Sequence, residues 1–151
     1  MTEFVINSPV GPLRLLEEEE ALVGLYFGGE PAGGLPPTSL LRETEAQLRA
    51  YFRRELWCFD LPVRYEGTEF QHRIWQALET IPYGTTATYG QMAAAAGRPK
   101  GAHAAGQAVG KNPISIIVPC HRVIGKNGAL TGFGGGLDIK RKLLAVEGLI
   151  Y

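Results

Sequence analysis

KNPISIIVPCHRV, residues 111–123, carries the residues on which the reading of this chain turns. Ile116, Ile117 and Val118 form a short apolar, largely β-branched run that predicts a buried strand, and Pro119 ends it. Cys120 is thereby expected at a strand end. A thiol reacts as thiolate, and the neighbouring His121 and Arg122 are the kinds of group that lower a cysteine pKa from its free value of about 8.5. The stretch predicts a reactive cysteine. Asn112-Pro113, at its start, reads from the residues alone as a turn dipeptide.

Upstream, residues 86–111 hold two helical segments, about Tyr89–Ala96 and Lys100–Val109, broken by Gly97-Arg98-Pro99. That is helix-turn-helix spacing. The second segment is built from Gly101, Ala102, Ala104, Ala105, Gly106 and Ala108, with His103 among them. So little side-chain bulk suits either tight internal packing or close approach to DNA, and Arg98, Lys100 and Lys111 favour DNA, through phosphates rather than base edges. Further upstream, Thr68 and Gln71 form a capping box for a helix with Phe70, Ile74, Trp75 and Leu78 on one face, stopped by Pro82-Tyr83-Gly84. His72 is expected at the surface. Downstream, Asn127-Gly128 is a hairpin-type turn, and Gly132, Gly134, Gly135 and Gly136 make a bent loop around Phe133 that lacks phosphate-loop spacing. Asp138 is expected to cap a last helix with Ile139, Leu143 and Val146 inward and Lys140, Arg141 and Lys142 outward, ending at Gly148.

The amino-terminal part predicts strands at 3–8, 12–16 and 21–27 in an antiparallel meander, with Glu17–Glu20 a solvated tip. Pro31–Pro37 is a loop. A helix capped by Thr38 or Ser39 follows to about Glu55, with Leu41, Leu48, Tyr51, Phe52 and Leu56 at helical spacing, then a strand over 57–65 in which Cys58 is a small buried hydrophobe. Glu66-Gly67 marks a boundary between domains 1–66 and 67–151. The fold class expected is α/β, of the α+β kind. With 151 residues and 45% hydrophobic content the chain has the composition of a globular protein. No apolar run approaches the ~20 residues of a spanning helix, which points to a cytoplasmic protein with both cysteines as free thiols. Net charge is zero, yet residues 1–66 hold 11 acids and 6 bases while residues 67–151 hold 4 acids and 9 bases. Only the second half is expected to meet a polyanion.

Pro119-Cys120-His121-Arg122-Val123, with Asn112-Pro113 before it and the glycine loop and Glu147-Gly148 after it, closely resembles the O6-alkylguanine-DNA alkyltransferase family, the methylated-DNA–protein-cysteine methyltransferases. The likeness runs from about Gly67 to Gly148, through TEFQHRIWQALETIPYG, TATYGQMAAAAGRPKGAHAAGQAVGKNP and LTGFGGGLDIKRKLLAVEG. It implies a small ribonuclease H-like amino-terminal domain and a helical, winged-helix-like carboxy-terminal domain. The implied activity is stoichiometric transfer of an alkyl group from guanine O6, and from thymine O4, in DNA to Cys120, with the damaged base flipped out of the duplex. The resemblance makes His121 the base acting through a water, Glu147 its orienter, Asn112 the brace of the site's turn and Tyr89 a proton donor to the leaving guanine. Val123, Phe133 and Gly134 would line the base pocket. His103, Arg98, Lys100, Ala102, Ala104, Gly106 and Lys111 would meet double-stranded DNA from its minor-groove side, the protein acting as a monomer.

Two departures stand out. His103 occupies a place where many members carry an intercalating arginine, so base flipping is expected to be less well supported and more sensitive to pH. Phe133 replaces a tyrosine of some members. Neither a cofactor nor a metal is expected, since residues 1–66 hold one Cys and no His. A binder of alkylated DNA that does no chemistry, and a cysteine hydrolase or helix-turn-helix regulator, are the competing readings. The first is disfavoured by an intact Cys120 and the second by the helix-turn-helix beside it and by the lack of a ligand-sensing or dimerisation segment.

Overall fold

A computed structural model describes residues 1–151. Strands β1 (Thr2–Ile6), β2 (Leu13–Glu18) and β3 (Ala21–Phe27) form an antiparallel meander in that order. Leu13 and Leu15 face inward from β2 and Leu22 and Leu25 from β3, all fully buried. The β2–β3 tip is Glu19-Glu20, both at positive φ. Glu17 departs from the expected solvated run: the ladder shifts register beside it, it is buried, and it accepts a hydrogen bond from the Thr38 hydroxyl.

Thr38 also caps helix α1 (Ser39–Phe52), which buries Leu41, Thr44, Leu48 and Tyr51. The helix stops three residues before Glu55, and Arg54 just beyond it takes a left-handed conformation. The strand expected over 57–65 is absent. Only Val63 makes a single parallel bridge to Leu22, because Pro62 supplies a carbonyl there but no N–H with which to extend a ladder. Cys58 in this segment is exposed, not buried.

The second half begins with helix α2 (Glu69–Glu79), whose capping box from Thr68 and Gln71 is complete. Helices α3 (Tyr89–Ala95) and α4 (Ala102–Gly110) pack on it as the helix-turn-helix, turned at Gly97, whose φ of +85° suits glycine. Between α2 and α3, β4 (Ala87–Thr88) pairs in parallel with β5 (Val123–Ile124). The last helix, α5 (Leu137–Val146), returns across this unit.

Residues 116–118 do not form the expected strand. Asn112 holds a tight loop instead: its side chain donates to the Val118 carbonyl at 2.7 Å and accepts from Ile114 N–H at 3.0 Å, and Ile116 is held at φ +71°. A β-branched residue at positive φ is strained unless its surroundings impose it. Ile114 alone bridges β3, at Leu25. Cys120 therefore opens a single turn of 3-10 helix (Cys120–Arg122) after Pro119. Asn127-Gly128 does turn the chain at positive φ, but no hairpin ladder flanks it.

Two expectations about α5 also fail. Asp138 lies inside its first turn and pairs with Arg141, while Gly136 takes the capping position. Lys140 points inward, 1% exposed, with its ammonium donating to the Val123 carbonyl at 2.6 Å and the Thr131 carbonyl at 3.4 Å. One apolar cluster, from Leu13 and Tyr51 through Trp75 and Ala105 to Val118 and Leu143, runs through both halves of the chain.

Candidate active site

Cys120 is 6% exposed and forms part of the wall of a cavity of about 270 Å³. Tyr26 and Phe27 come to it from the end of β3, Tyr89 from α3, Gly106 and Val109 from α4, and Phe133 with its flanking glycines from the loop before α5. The volume lies just under the ~300–1,000 Å³ usual for drug-sized ligands, a size suited to one flat base. Phe27 and Phe133 pack at 5.5 Å between centroids, and Gly135 lies so close to Phe27 that a Cβ there would come within 2.8 Å of its ring. The glycine loop is thus seated on β3. Tyr89, Gly106 and Gly132 also line a larger, adjoining groove beside α4.

Behind the thiol stands an ionic cluster centred on Glu147. His121 Nε2 lies 2.6 Å from Oε2, which also accepts from the Tyr51 hydroxyl at 2.6 Å. Arg122 Nε donates to Oε1 at 2.8 Å and Gly84 N–H at 3.0 Å, while Arg122 also donates to the Ile81 carbonyl at 2.7 Å. The glutamate and histidine side chains are fully buried. Burial pushes the Glu147 carboxyl up, but hydrogen bonds from His121, Arg122 and Tyr51 outweigh it and hold the group down at about 2. Burial lowers the His121 pKa more than Glu147 raises it, which favours the neutral imidazole. With Nε2–H committed to Glu147, Nδ1 carries the lone pair, and it is a buried atom with no protein partner.

The electrostatics of Cys120 correct the sequence reading. His121 and Arg122 are spent on Glu147, and burial pushes the thiol up, not down; Asn112, Ser115 and the Lys140 charge pull it part of the way back. Its Sγ–H points to Ser115 Oγ at 4.0 Å. The resting thiol is protonated, so a base is needed at the moment of reaction.

Among the other residues read from the sequence, Asn112 stands under the Cys120 turn as a brace, and Tyr89 accepts from Thr131 Oγ1 at 2.8 Å, leaving its own proton free for the cavity. Phe133 and Gly134 line the cavity; Val123 is fully buried in β5 and stands outside its wall. The residues assigned to DNA divide over two flanks of α4. Ala102, His103 and Gly106 face the groove with Gln107 and Lys126, whereas Ala104 and Lys111 lie on the α2 side with Arg98, whose guanidinium covers the Phe70 ring at 4.8 Å. Lys100 is exposed at the turn.

Sequence reasoning missed Tyr26, Phe27, Tyr51, Ser115 and Lys140. For Lys140 a signal existed: 140, 143, 144 and 147 follow the i, i+3, i+4, i+7 stripe that faces one side of a helix, and all four are buried. Tyr26, Phe27 and Tyr51 come from contacts distant in sequence, and Ser115 from the loop that replaces the expected strand.

A base-sized cavity with a thiol in its wall, a neutral histidine held by a buried glutamate and a small-residue helix beside the opening together define a thiol acceptor protein that works on DNA. Residues 1–65 match the ribonuclease-like domain of 6-O-methylguanine DNA methyltransferase and residues 69–149 its DNA binding domain. The methylated-DNA–protein-cysteine methyltransferase of Methanosarcina acetivorans is 49% identical, over 95% of this chain and 96% of that protein. The structure of Mycobacterium tuberculosis OGT in complex with DNA superposes with a TM-score of 0.89 at 45% identity, covering 98% of this chain and 93% of that one. The chain of S. pombe Atl1, in complex with damaged DNA containing O6-carboxymethylguanine, matches 55% of this chain and 79% of its own at 33% identity, with a TM-score of 0.50. The chain belongs to the 6-O-methylguanine DNA methyltransferase family: it is a DNA-binding repair methyltransferase that carries alkyl groups from DNA to a cysteine.

Acid should unfold the protein through this cluster. Both His121 and Glu147 bind protons more readily when unfolded, so stability present at neutral pH declines as pH falls below about 6.5 and again from about 4.5 to about 2. Denaturation midpoints across that range should show both declines. Glu147→Gln should cost roughly 3–5 kcal/mol at neutral pH by breaking the buried pair, and should flatten the lower decline; an unchanged lower decline would show that the carboxylate is not held this way.

Proposed function

We propose that Cys120 is the acceptor in a single-turnover transfer from O6-alkylguanine, and from O4-alkylthymine, in double-stranded DNA. The observation that carries this reading is that Tyr89, Gly106 and Gly132 line both the thiol cavity and the groove beside α4, so an everted base entering from α4 has only these residues to pass on its way to the thiol. A stacked base cannot bring its O6-alkyl carbon to a buried sulfur, so the nucleotide must leave the duplex. As it enters, the thiol proton passes through a water to His121 Nδ1, and Glu147 steadies the imidazolium that results. The sulfur then bonds to the alkyl carbon as the carbon–O6 bond breaks, its electrons staying with the guanine. Tyr89 returns a proton to the purine, helped by Thr131, which donates to the tyrosine oxygen and steadies the charge left there. A thioether is not hydrolysed, and the protein is spent.

The division of labour follows the chain. Residues 67–151 hold the acceptor and approach DNA from the minor-groove side, with α4 close to the floor and Lys126, Lys111, Arg98 and Lys100 reaching phosphates. Residues 1–66, acidic in balance, form a separate domain that completes the site: Tyr26 and Phe27 close the cavity wall and Tyr51 meets Glu147 behind the thiol. The protein acts as a monomer in the cytoplasm. A binder that only marks alkylated DNA has no use for a thiol inside the base cavity backed by a histidine–glutamate pair.

Incubation with a duplex containing O6-methylguanine should raise the intact mass by one methyl group, mapping to Cys120, with one DNA lesion lost per protein; Cys120→Ser should bind the same duplex and gain nothing. DNA retention with no mass change would favour the binder. His103→Arg should speed repair of duplex DNA, because a planar, always charged guanidinium both stacks and pairs with phosphate. A rate equal to that of the unaltered protein would dismiss a role for His103 in flipping.

A further inference from the structure

Tyr51 belongs to the last turn of α1, in the half of the chain with no evident part in chemistry. Its ring is completely buried among Phe52, Phe59, Tyr83 and the edge of the His121 ring. Packing alone would be satisfied by phenylalanine, which would not have to bury a hydroxyl. Tyrosine is present, and its hydroxyl donates to the same Glu147 oxygen that holds His121, while lying 3.3 Å from the histidine nitrogen. The Nε2 proton and the phenol proton both go to Oε2, so the hydroxyl can only donate there.

We propose that Tyr51 is a positioning residue for the transfer, its hydroxyl fixing the Glu147 oxygen that keeps His121 in the Nε2–H form with Nδ1 open for the thiol proton. The inference rests on Cys120 as acceptor and His121 as base. It makes the amino-terminal domain part of the chemical machinery: α1 supplies a donor that no residue of 67–151 provides at Oε2 besides His121 itself.

The hydroxyl also sets how strongly the carboxylate attracts a proton onto the imidazole. A carboxylate that shares its charge among more donors is a weaker partner for each. Around His121 stand Lys140 from α5 and Glu147 from its C-terminal cap, and Arg122 and Cys120 from its own turn, with Tyr83 facing the glutamate from the loop after α2. Arg122 and Lys140 disfavour the imidazolium and Glu147 favours it. Without the Tyr51 hydroxyl the balance moves toward Glu147. His121 then holds a proton at higher pH, where it cannot take one from Cys120.

Single-turnover rates of methyl transfer from O6-methylguanine duplex should be measured against pH for the full-length protein, Tyr51→Phe and Phe59→Leu, alongside duplex affinity. Tyr51→Phe should move the acid limb of the rate profile up by about half a pH unit or more, a loss of roughly threefold or more at a pH on that limb, with near-normal rate on the alkaline plateau and unchanged affinity. Phe59→Leu, which disturbs the same aromatic cluster with no hydrogen bond to the site, should leave the limb in place. An unmoved limb in Tyr51→Phe, or a uniform slowing like that of Phe59→Leu, overturns the proposal. Should Tyr51→Phe not fold, 3-fluorotyrosine placed at position 51 alone provides a stronger donor of nearly the same size; it should move the limb to lower pH, and an unmoved limb there overturns the proposal equally. Absence of methyl transfer in the unaltered protein would instead sink the underlying assignment of Cys120.

Discussion

A single buried carboxylate ties this molecule together. Glu147 receives four donors, two on each oxygen, from α1, from the loop after α2 and from two residues of the turn that carries the thiol. A lone ionised carboxylate in such surroundings would cost several kcal/mol; here every lone-pair direction is answered and Arg122 supplies the compensating charge. Because the donors come from segments as far apart as residues 51 and 147, the ion can be satisfied only when both halves of the chain are in place. Folding and assembly of the site are then one event.

The consequence for chemistry is a division between storage and use of reactivity. The thiol is kept protonated by burial, which protects it from oxidants and other electrophiles, and burial likewise favours the neutral form of His121, the base we propose for it. Lys140 contributes a cation anchored on the Val123 and Thr131 carbonyls rather than on any carboxylate, so its charge remains available to a thiolate as it forms. A protein that reacts once gains from a nucleophile that stays silent until its substrate fills the cavity.

Much of this was legible in the sequence. The meander, the capping box at Thr68 and the helix-turn-helix follow from patterns with a period and a cap, and Cys120, His121, Asn112 and Glu147 sit in motifs specific enough to place at one site. What escaped is what depends on particular side-chain contacts rather than on pattern, some of them local and some distant along the chain. Ile116–Val118 has strand composition, but Asn112 pulls it into a loop. Cys58 looks apolar, but Pro62 denies its segment a ladder. Lys140 belongs on the solvent by charge, yet two buried carbonyls hold it in the interior. The ionisation of Cys120 was inferred from residues adjacent in sequence, whereas the His121 and Arg122 side chains serve Glu147 and burial decides the thiol. Tyr51 gave no signal at all, because a helix-face aromatic reads as core whether or not its hydroxyl has a partner.

The central claim is that His121 rests as a neutral imidazole, proton on Nε2 facing Glu147 and Nδ1 bare. Nitrogen-15 chemical shifts of the His121 ring in unalkylated protein report this directly. At about pH 7 the expected spectrum is that of the Nε2–H tautomer, persisting below the ordinary histidine midpoint of about 6.5. An imidazolium at neutral pH, or a proton found on Nδ1, would contradict the account.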